Sequence, residues 1–383
     1  MRSLQKYFTS ENITLFLFSL LFYYLGYIYF FDFNQGTSLA PKHIKAIKDL
    51  ILISILILNI KLILKSFTNL FSISIIVPTL TNLAITLNLN ILLQQRNLIY
   101  SIILGNILNS FDSKKVYNFI FINFRLSILL GLALFPFSPW ESQDMIGALG
   151  SPANFYFILI FYITLKLNNS LEIKSKSLNY LDLIILNVAI ISCGSLAAIV
   201  IYLVVIHLFI IKLQLTNNNF TKNLNTYLKL IVIITSIIYL IHISFENLFN
   251  MYLIKILLSK IPYLSEFIDL KYTSSLSLIN RSAQLSSVNT INFKLINISD
   301  KYIYSDFQYL EILVNQGIIP FIIFYGVLLR ELIISIKNLV FKDTALLAVI
   351  LLTMIFTPIM RYIPSGAIIC YYILGLTKKS QKL

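Results

Sequence analysis

Apolar residues in this chain come in long runs, separated by short breaks that carry lysine, asparagine or proline. The first run, Ile13–Phe31, follows Arg2 and Lys6 and is long enough to cross a bilayer. No small-residue cleavage pattern comes after it, so it reads as an uncleaved first helix. Further spans are expected at Leu50–Leu64, at Leu70–Leu93 with a kink at Pro78 and Arg96 capping its far end, and at Leu98–Leu108, a short one. Phe119–Phe137 ends at Pro136, Pro139 and Trp140, which is interfacial chemistry. Phe155–Leu167 is the sixth span, and Leu181–Ile211 is long enough to divide in two at Gly194-Ser195. Leu230–Phe249 is the ninth. The markedly more polar stretch Asn250–Ser305 follows, then Tyr309–Ile334, then a pair sharing Leu346–Leu376 with Arg361, Pro364 and Gly366 at the bend. The pattern predicts an all-α, polytopic integral membrane protein of about 12 transmembrane helices. Residues 1–383 form a single membrane domain in this reading, with one large periplasmic loop, 250–305, between spans nine and ten.

Composition narrows the class further. The chain of 383 residues is 58% hydrophobic and only 12% charged, with a mean hydropathy of +0.83. These values exclude a water-soluble enzyme, a disordered chain and a soluble body held by a lipid anchor alone. The net charge of +14 points to a membrane orientation rather than to nucleic acid as a partner. Arg2, Lys6, Lys65, Lys114, Lys115, Lys174, Lys176, Lys222, Lys337, Lys378, Lys379 and Lys382 fall on one side of the expected topology. The positive-inside rule puts that side, and both termini, in the cytoplasm of a bacterial inner membrane, and the long loop outside. Lys42, Lys45 and Lys48 are exceptions near the first outer loop. Cys193 and Cys370 lie in apolar runs and His43, His207 and His242 are scattered, so no disulfide framework, metal site or cofactor motif is expected. No internal repeat or inverted pair of broken helices is visible, which weighs against a secondary transporter.

Polar groups at membrane depth are costly, and each is a candidate for function. Lys61 and Lys166 lie near span ends, where they can snorkel; Asp182 reads as a helix-start carboxylate, and His207 sits close to the cytoplasmic end of its helix. Glu246, near the outer end of span nine, reads equally as a solvated terminus or as the lining of a polar cavity. There are six arginines against 24 lysines. Arginine binds phosphate oxygens with a planar fork and stays charged when partly buried. Arg96, Arg281 and Arg361 map to the outer side, either as solvated caps or gathered around one diphosphate. The densest polar signal is Tyr302–Phe321, where the loop re-enters the membrane. Asp306, Tyr309 and Asn315–Gln316 follow helical spacing and share a face there. Asp306 reads either as a carboxylate favoured by the helix dipole or as a general base acting on a hydroxyl.

The run Asp306-x-x-Tyr309-Leu310-x-x-Leu313-x-x-x-Gly317-Ile318-Ile319 resembles the re-entry motif of the bacterial O-antigen polymerases (Wzy type), a family related to the O-antigen ligases. Asp306-Phe307 stand where ligases carry His-Asn, and Asn315 where many relatives carry Glu. Gly147-Ala-Leu-Gly150-Ser-Pro152-Ala-Asn154 resembles a Gly/Pro/Asn segment before a span, with one residue inserted before Asn154 and Asp144 where relatives carry Arg. Gly194-Ser195-Leu196-Ala197 resembles a Gly-Ser-Arg bend with Leu196 in place of Arg. Arg281 fits the loop arginine that in relatives contacts the lipid diphosphate, and Arg96 and Arg361 are candidates to supply the missing charge.

The resemblance implies glycosyl transfer at the periplasmic face, from a growing glycan on undecaprenyl diphosphate to a single lipid-linked repeat unit. Asp306 and Arg281 would be catalytic, and Arg96, Arg361, Tyr309, Glu246 and Asn154 would bind substrate. It implies no cofactor, and as partners the bilayer, the lipid-linked donor and acceptor, a chain-length regulator and a flippase. The competing readings are an O-antigen ligase and a flippase or transporter of lipid-linked saccharide.

Overall fold

The computed structural model describes residues 9–34, 42–66, 69–134, 152–172, 189–190, 198, 201–209, 294–299, 303, 305 and 307–380. All regular structure among them is helical, with no strand. The chain divides into two compact units, Met1–Val205 with Asn292–Leu383, and Ile206–Ile291. Of the second unit, residues 206–209 are described, and they are helical. Everything below concerns the first unit.

The unit opens with α1 (Ser10–Asn34), whose first-turn Glu11 suits the positive end of the helix dipole. The same carboxylate accepts from Lys115 Nζ at 2.7 Å and from the Asp112 amide at 2.8 Å, tying the start of α1 to the turn before α6 (Ser113–Leu134). The expected span Leu50–Leu64 is interrupted. Helix α2 (Lys42–Leu58) begins eight residues earlier and stops at Asn59, and a short α3 (Ile60–Ser66) follows. Asn59 is buried, and its amide donates to Thr14 Oγ1 and to the Ile55 carbonyl, each at 2.8 Å. A side-chain amide that competes for local carbonyls is a physical reason for a break there.

The next two expected spans are also re-divided. Helix α4 (Leu70–Thr86) is capped by Asn69, whose side chain accepts from the Phe71 amide, and it carries Pro78 inside. It ends where Leu87 turns left-handed at φ 51°, so the span does not run on to Leu93. Leu89–Leu93 instead begin α5 (Leu89–Asn109), 21 residues long, which absorbs the short span expected at Leu98–Leu108. Arg96 therefore lies two turns inside α5 and caps nothing, which corrects its expected place. Helix α7 (Pro152–Glu172) starts with proline at its first position, where no amide hydrogen is needed.

The expected span Tyr309–Ile334 is two helices, α8 (Gln308–Gln316) and α9 (Ile318–Lys337), that meet at Gly317. The final pair divides near its expected bend, as α10 (Phe341–Phe356) and α11 (Ile363–Ser380), with a 3-10 turn, Ile359–Arg361, between. Pro358 ends α10, and Pro364 and Gly366 fall in the first turn of α11. Helix α5 lies along α11, α4 along α9, and α7 along α10. Small residues set the first contact: a Cβ at Gly105 would come within 2.8 Å of the Ala367 carbonyl, and one at Gly366 within 2.8 Å of Ser101 Cβ. Close backbone approach through glycine is a usual way for helices to associate where surrounding apolar matter gives no hydrophobic drive.

Large apolar side chains also cover the outside. On α2, Leu50, Ile53 and Ile57 are exposed, on α6 Ile122, Leu126 and Leu129, and on α9 Ile322, Leu329, Ile333 and Ile336. Their spacing of three, four and seven makes one outward stripe per helix. Among the described residues one helix, α9, is both long and apolar enough to cross a membrane, and Leu70–Thr86 and Phe155–Lys166 are shorter apolar helices.

Candidate functional site

Two helix breaks meet at α8. At its start, Gln308 is fully buried and its Oε1 accepts from the Met360 amide at 2.9 Å. One turn on, Glu311 is 2% exposed, and its Oε1 accepts from Arg361 Nε at 2.6 Å. Positions 308 and 311 share a helix face, so one face of α8 grips the 3-10 turn that separates α10 from α11. Thr357, on the other side of Pro358, pairs its hydroxyl with that of Tyr156 at 2.8 Å, which brings α7 to the same break. A buried ion pair is unfavourable unless its geometry is good, and this one is short and charge-assisted.

The end of α8 is fixed by amides. Asn315 accepts from the Ile303 amide at 2.9 Å and donates back to the Ile303 carbonyl at 2.8 Å. Asn82 of α4 forms the same reciprocal pair with Ser299, both contacts at 3.2 Å. Asn297 donates its side-chain amide to the Val314 carbonyl at 2.6 Å and its backbone amide to the Gln316 carbonyl at 3.0 Å. The amides of Ile318 and Ile319 donate to the carbonyls of Lys294 and Leu295. Residues 294–299 and Ile303 thus dock through strand-like backbone contacts, with asparagine side chains standing in for a neighbouring strand.

Gly317 makes this possible. Its φ is 106°, and a Cβ would lie 2.7 Å from the Leu295 carbonyl oxygen and 2.8 Å from the Asn297 amide nitrogen. Only glycine fits both the backbone angle and the gap. Beside it, Gln316 Nε2 donates to Gln95 Oε1 at 2.7 Å and to Thr79 Oγ1 at 3.2 Å, with Thr79 also bonded to Gln95. All three side chains are buried, so α4, α5 and α8 share one dry polar knot.

The residues singled out in the sequence fall as follows. Arg361 is in the site, on Glu311. Tyr309 is on α8, half-buried, with its ring 5.6 Å from that of Phe307. Arg96 is half-buried on α5, one position beyond Gln95 of the polar knot. Asn154 is in the first turn of α7, the helix that reaches the break through Tyr156. Asp306, Arg281 and Glu246 lie outside the described residues, as do the Gly147–Gly150 and Gly194–Ala197 motifs, span nine and residues 250–293 of the long loop.

Sequence reading picked out Gln316 with Asn315 on the face of Asp306 but passed over Glu311, Gln308, Gln95 and Thr79. Glu311 carried a usable signal, a carboxylate in the first turns of an apolar segment. Gln308, Gln95 and Thr79 carried none, because their partners are 16 to 237 residues apart in sequence. Buried polar atoms of this region with no hydrogen-bond partner among the described residues include Gln308 Nε2 and the hydroxyl of Tyr325 on α9. Tyr325 stands in the electrostatic field of Glu311 and Tyr309. The cluster is rich in donors and holds no group of three or more His, Cys, Asp or Glu able to bind a metal ion among the described residues. No protein-family model matches the chain, and no curated protein matches it.

Proposed function

We propose that this chain is a polytopic inner-membrane glycosyltransferase that polymerises undecaprenyl-diphosphate-linked repeat units at the periplasmic face. The observation that carries the reading is the part-buried Glu311–Arg361 pair on α8, the helix through which the end of the long polar loop turns into the apolar helix α9. The motif Asp306–Ile319 that suggested the family contains this junction, and its glycine, Gly317, is the residue the junction needs sterically. The exposed apolar stripes of α2, α6 and α9 support a bilayer around these helices; the count of about 12 spans and the cytoplasmic termini rest on the apolar runs and the lysine distribution of the sequence.

In this reaction a hydroxyl of the incoming lipid-linked unit attacks the anomeric carbon of the growing glycan. The bond from that carbon to the diphosphate oxygen breaks, and the diphosphate leaves with the electron pair. Asp306 takes the hydroxyl proton, and Arg281 stabilises the charge that develops on the leaving group. Arg361 and Arg96 hold diphosphate oxygens, while Tyr309, Glu246 and Asn154 line the sugar path. Donor and acceptor lipids enter from the bilayer, a flippase supplies them, and a chain-length regulator works beside the enzyme. An O-antigen ligase would share the donor and differ in its acceptor. A flippase of the same lipid is the second reading. It is favoured by the two helix breaks that meet at the polar site, since transporters build midplane sites from discontinuous helices.

The test is deletion of the gene in a strain that makes a polymeric surface glycan. Loss of a polymerase leaves single repeat units on the lipid carrier and on the mature glycolipid. Loss of a flippase leaves units trapped at the cytoplasmic face and no surface glycan at all. Long chains in the deletion strain sink both. Asp306→Ala and Arg281→Ala are expected to reproduce the single-unit phenotype at normal protein levels, and wild-type chain lengths in either would remove that residue from the site.

A further inference from the structure

At the end of α9 opposite Gly317, the ends of α5, α6, α10 and α11 are joined by lysines in a closed circuit. Lys378 of α11 donates to the Asn109 carbonyl at the end of α5, at 3.4 Å. The turn 110–112 leads from there to α6, which opens with Lys114 and Lys115. One turn further on, the Tyr117 ring lies under Lys342 of α10, with the ammonium 5.6 Å from its centroid. Asp343, next to Lys342, leads back to α11 by accepting from the Tyr372 hydroxyl at 2.7 Å and from Lys379 at 3.5 Å. Ser380 of α11 donates to Glu331, which places the circuit near the Lys337 end of α9.

The circuit keeps its positive charge. Among the described residues, Lys115 has a close carboxylate, Glu11 at 2.7 Å, and Lys379 shares Asp343 with a tyrosine. Lys378 rests on a carbonyl and Lys342 on an aromatic face, and neither group carries a formal charge. Five lysines meet three carboxylates, Glu11, Asp112 and Asp343, so cationic charge remains. It also points outward. Asp343 is buried, whereas the Lys379 side chain is 64% exposed, and Lys114, Lys115 and Lys378 are exposed too.

Apolar surface adjoins these cations. The exposed stripe of α6, Ile122, Leu126 and Leu129, begins two turns below Lys115, with Arg125 exposed beside it. Cations that border an apolar stripe match a phospholipid, whose phosphate sits above its acyl chains. An acidic protein segment would use the cations alone. We propose that Lys114, Lys115, Lys342, Lys378 and Lys379 form a headgroup site for an anionic phospholipid of the phosphatidylglycerol class, on the side that the lysine distribution assigns to the cytoplasm. The proposal rests on the membrane part of the proposed function and is independent of the reaction.

The full chain in neutral detergent is titrated with phosphatidylglycerol and with phosphatidylcholine of the same acyl chains, and bound lipid is counted by native mass spectrometry. Phosphatidylglycerol should bind at least about tenfold tighter, with a preference that shrinks in high salt. Lys378→Gln should weaken it about fivefold. Lys114→Gln/Lys378→Gln and Lys342→Gln/Lys379→Gln should each weaken it at least about tenfold and leave phosphatidylcholine binding unchanged. Thermal melts show which variants fold, and either folded pair is sufficient. Lys294, whose carbonyl accepts from Ile318 at the start of α9, is the control, about 30 Å away along that helix. Lys294→Gln should change phosphatidylglycerol affinity less than about twofold. Equal affinity of the wild type for the two lipids overturns the inference. So does a folded pair that loses no more than Lys294→Gln, and so do pairs that lose binding to polyglutamate while keeping the lipid, which would assign the patch to an acidic protein segment. A chain recovered outside membranes sinks the membrane reading and this inference with it. A membrane-embedded chain indifferent to lipid charge sinks the inference alone.

Discussion

At the scale of single residues, two glycines in neighbouring turns of sequence do opposite things. Gly317 sits at φ 106° against the backbone of Leu295–Asn297. Gly326, nine residues later in α9, has nothing within 4 Å of where a Cβ would be. Gly317→Ala should cost at least about 1–3 kcal/mol, through backbone strain and the forced retreat of the docked segment. Gly326→Ala should be neutral or stabilise by up to about 1 kcal/mol, because alanine is the better helix former. Thermal melts in detergent check both, and equal behaviour of the two variants would remove the steric account of the α8–α9 junction. The same scale explains why the amide side chains matter. Asn82 and Asn315 each present a donor and an acceptor in one plane, so each can replace one residue of a β-ladder.

At the scale of elements, most breaks have a local cause, and the polar side chains collect at them. Asn59 divides α2 from α3, Leu87 ends α4, Gly317 divides α8 from α9, and Pro358 ends α10. Broken helices leave free carbonyls and amides, which need partners away from water. The knot of Thr79, Gln95 and Gln316 joins α4, α5 and α8 beside one of these breaks. Its members depend on one another. Gln95→Leu alone should destabilise by about 1–3 kcal/mol, because it strands the Gln316 amide. The triple change Thr79→Val, Gln95→Leu, Gln316→Leu should recover most of that loss, since it leaves no buried polar group unmet. A set of melts for the single and triple variants decides this; a triple variant weaker than Gln95→Leu would show that the knot contributes more than mutual satisfaction.

At the scale of the whole molecule, the described helices of the first unit carry apolar stripes outside and a polar knot within. That inversion suits a solvent of hydrocarbon, where exposed leucine costs nothing and an unmet amide costs much. Leu329, half-way along α9 and half exposed, is the sensitive place to test it. Leu329→Lys should cost about 2.5–3.5 kcal/mol of insertion energy if α9 spans a bilayer. Leu339, exposed just beyond the end of α9, should accept lysine with little effect, since there the side chain can reach water. The fraction of each variant recovered in membranes distinguishes the two positions. Equal recovery would argue that the stripe of α9 faces something other than lipid.

The apolar runs by themselves determined that the chain is helical and roughly where many of the helices lie, because hydrophobic stretches of this length leave the backbone few other ways to pair its amides. They also marked the bend at Arg361, whereas the break at Gly317 lay inside a span expected to be continuous. Helix limits were less legible: Lys42–Lys48 fall inside α2 and Arg96 inside α5, since a charged residue at the edge of an apolar run looks the same whether it ends a helix or rides on it. The site was only half legible. Arg361 and Tyr309 stood out by residue type, whereas Glu311 became significant through Arg361, 50 positions away, and Gln95 through Gln316, 221 away. Such pairs form only when helices pack, so their meaning rests on distance in space, which the tertiary structure alone decided.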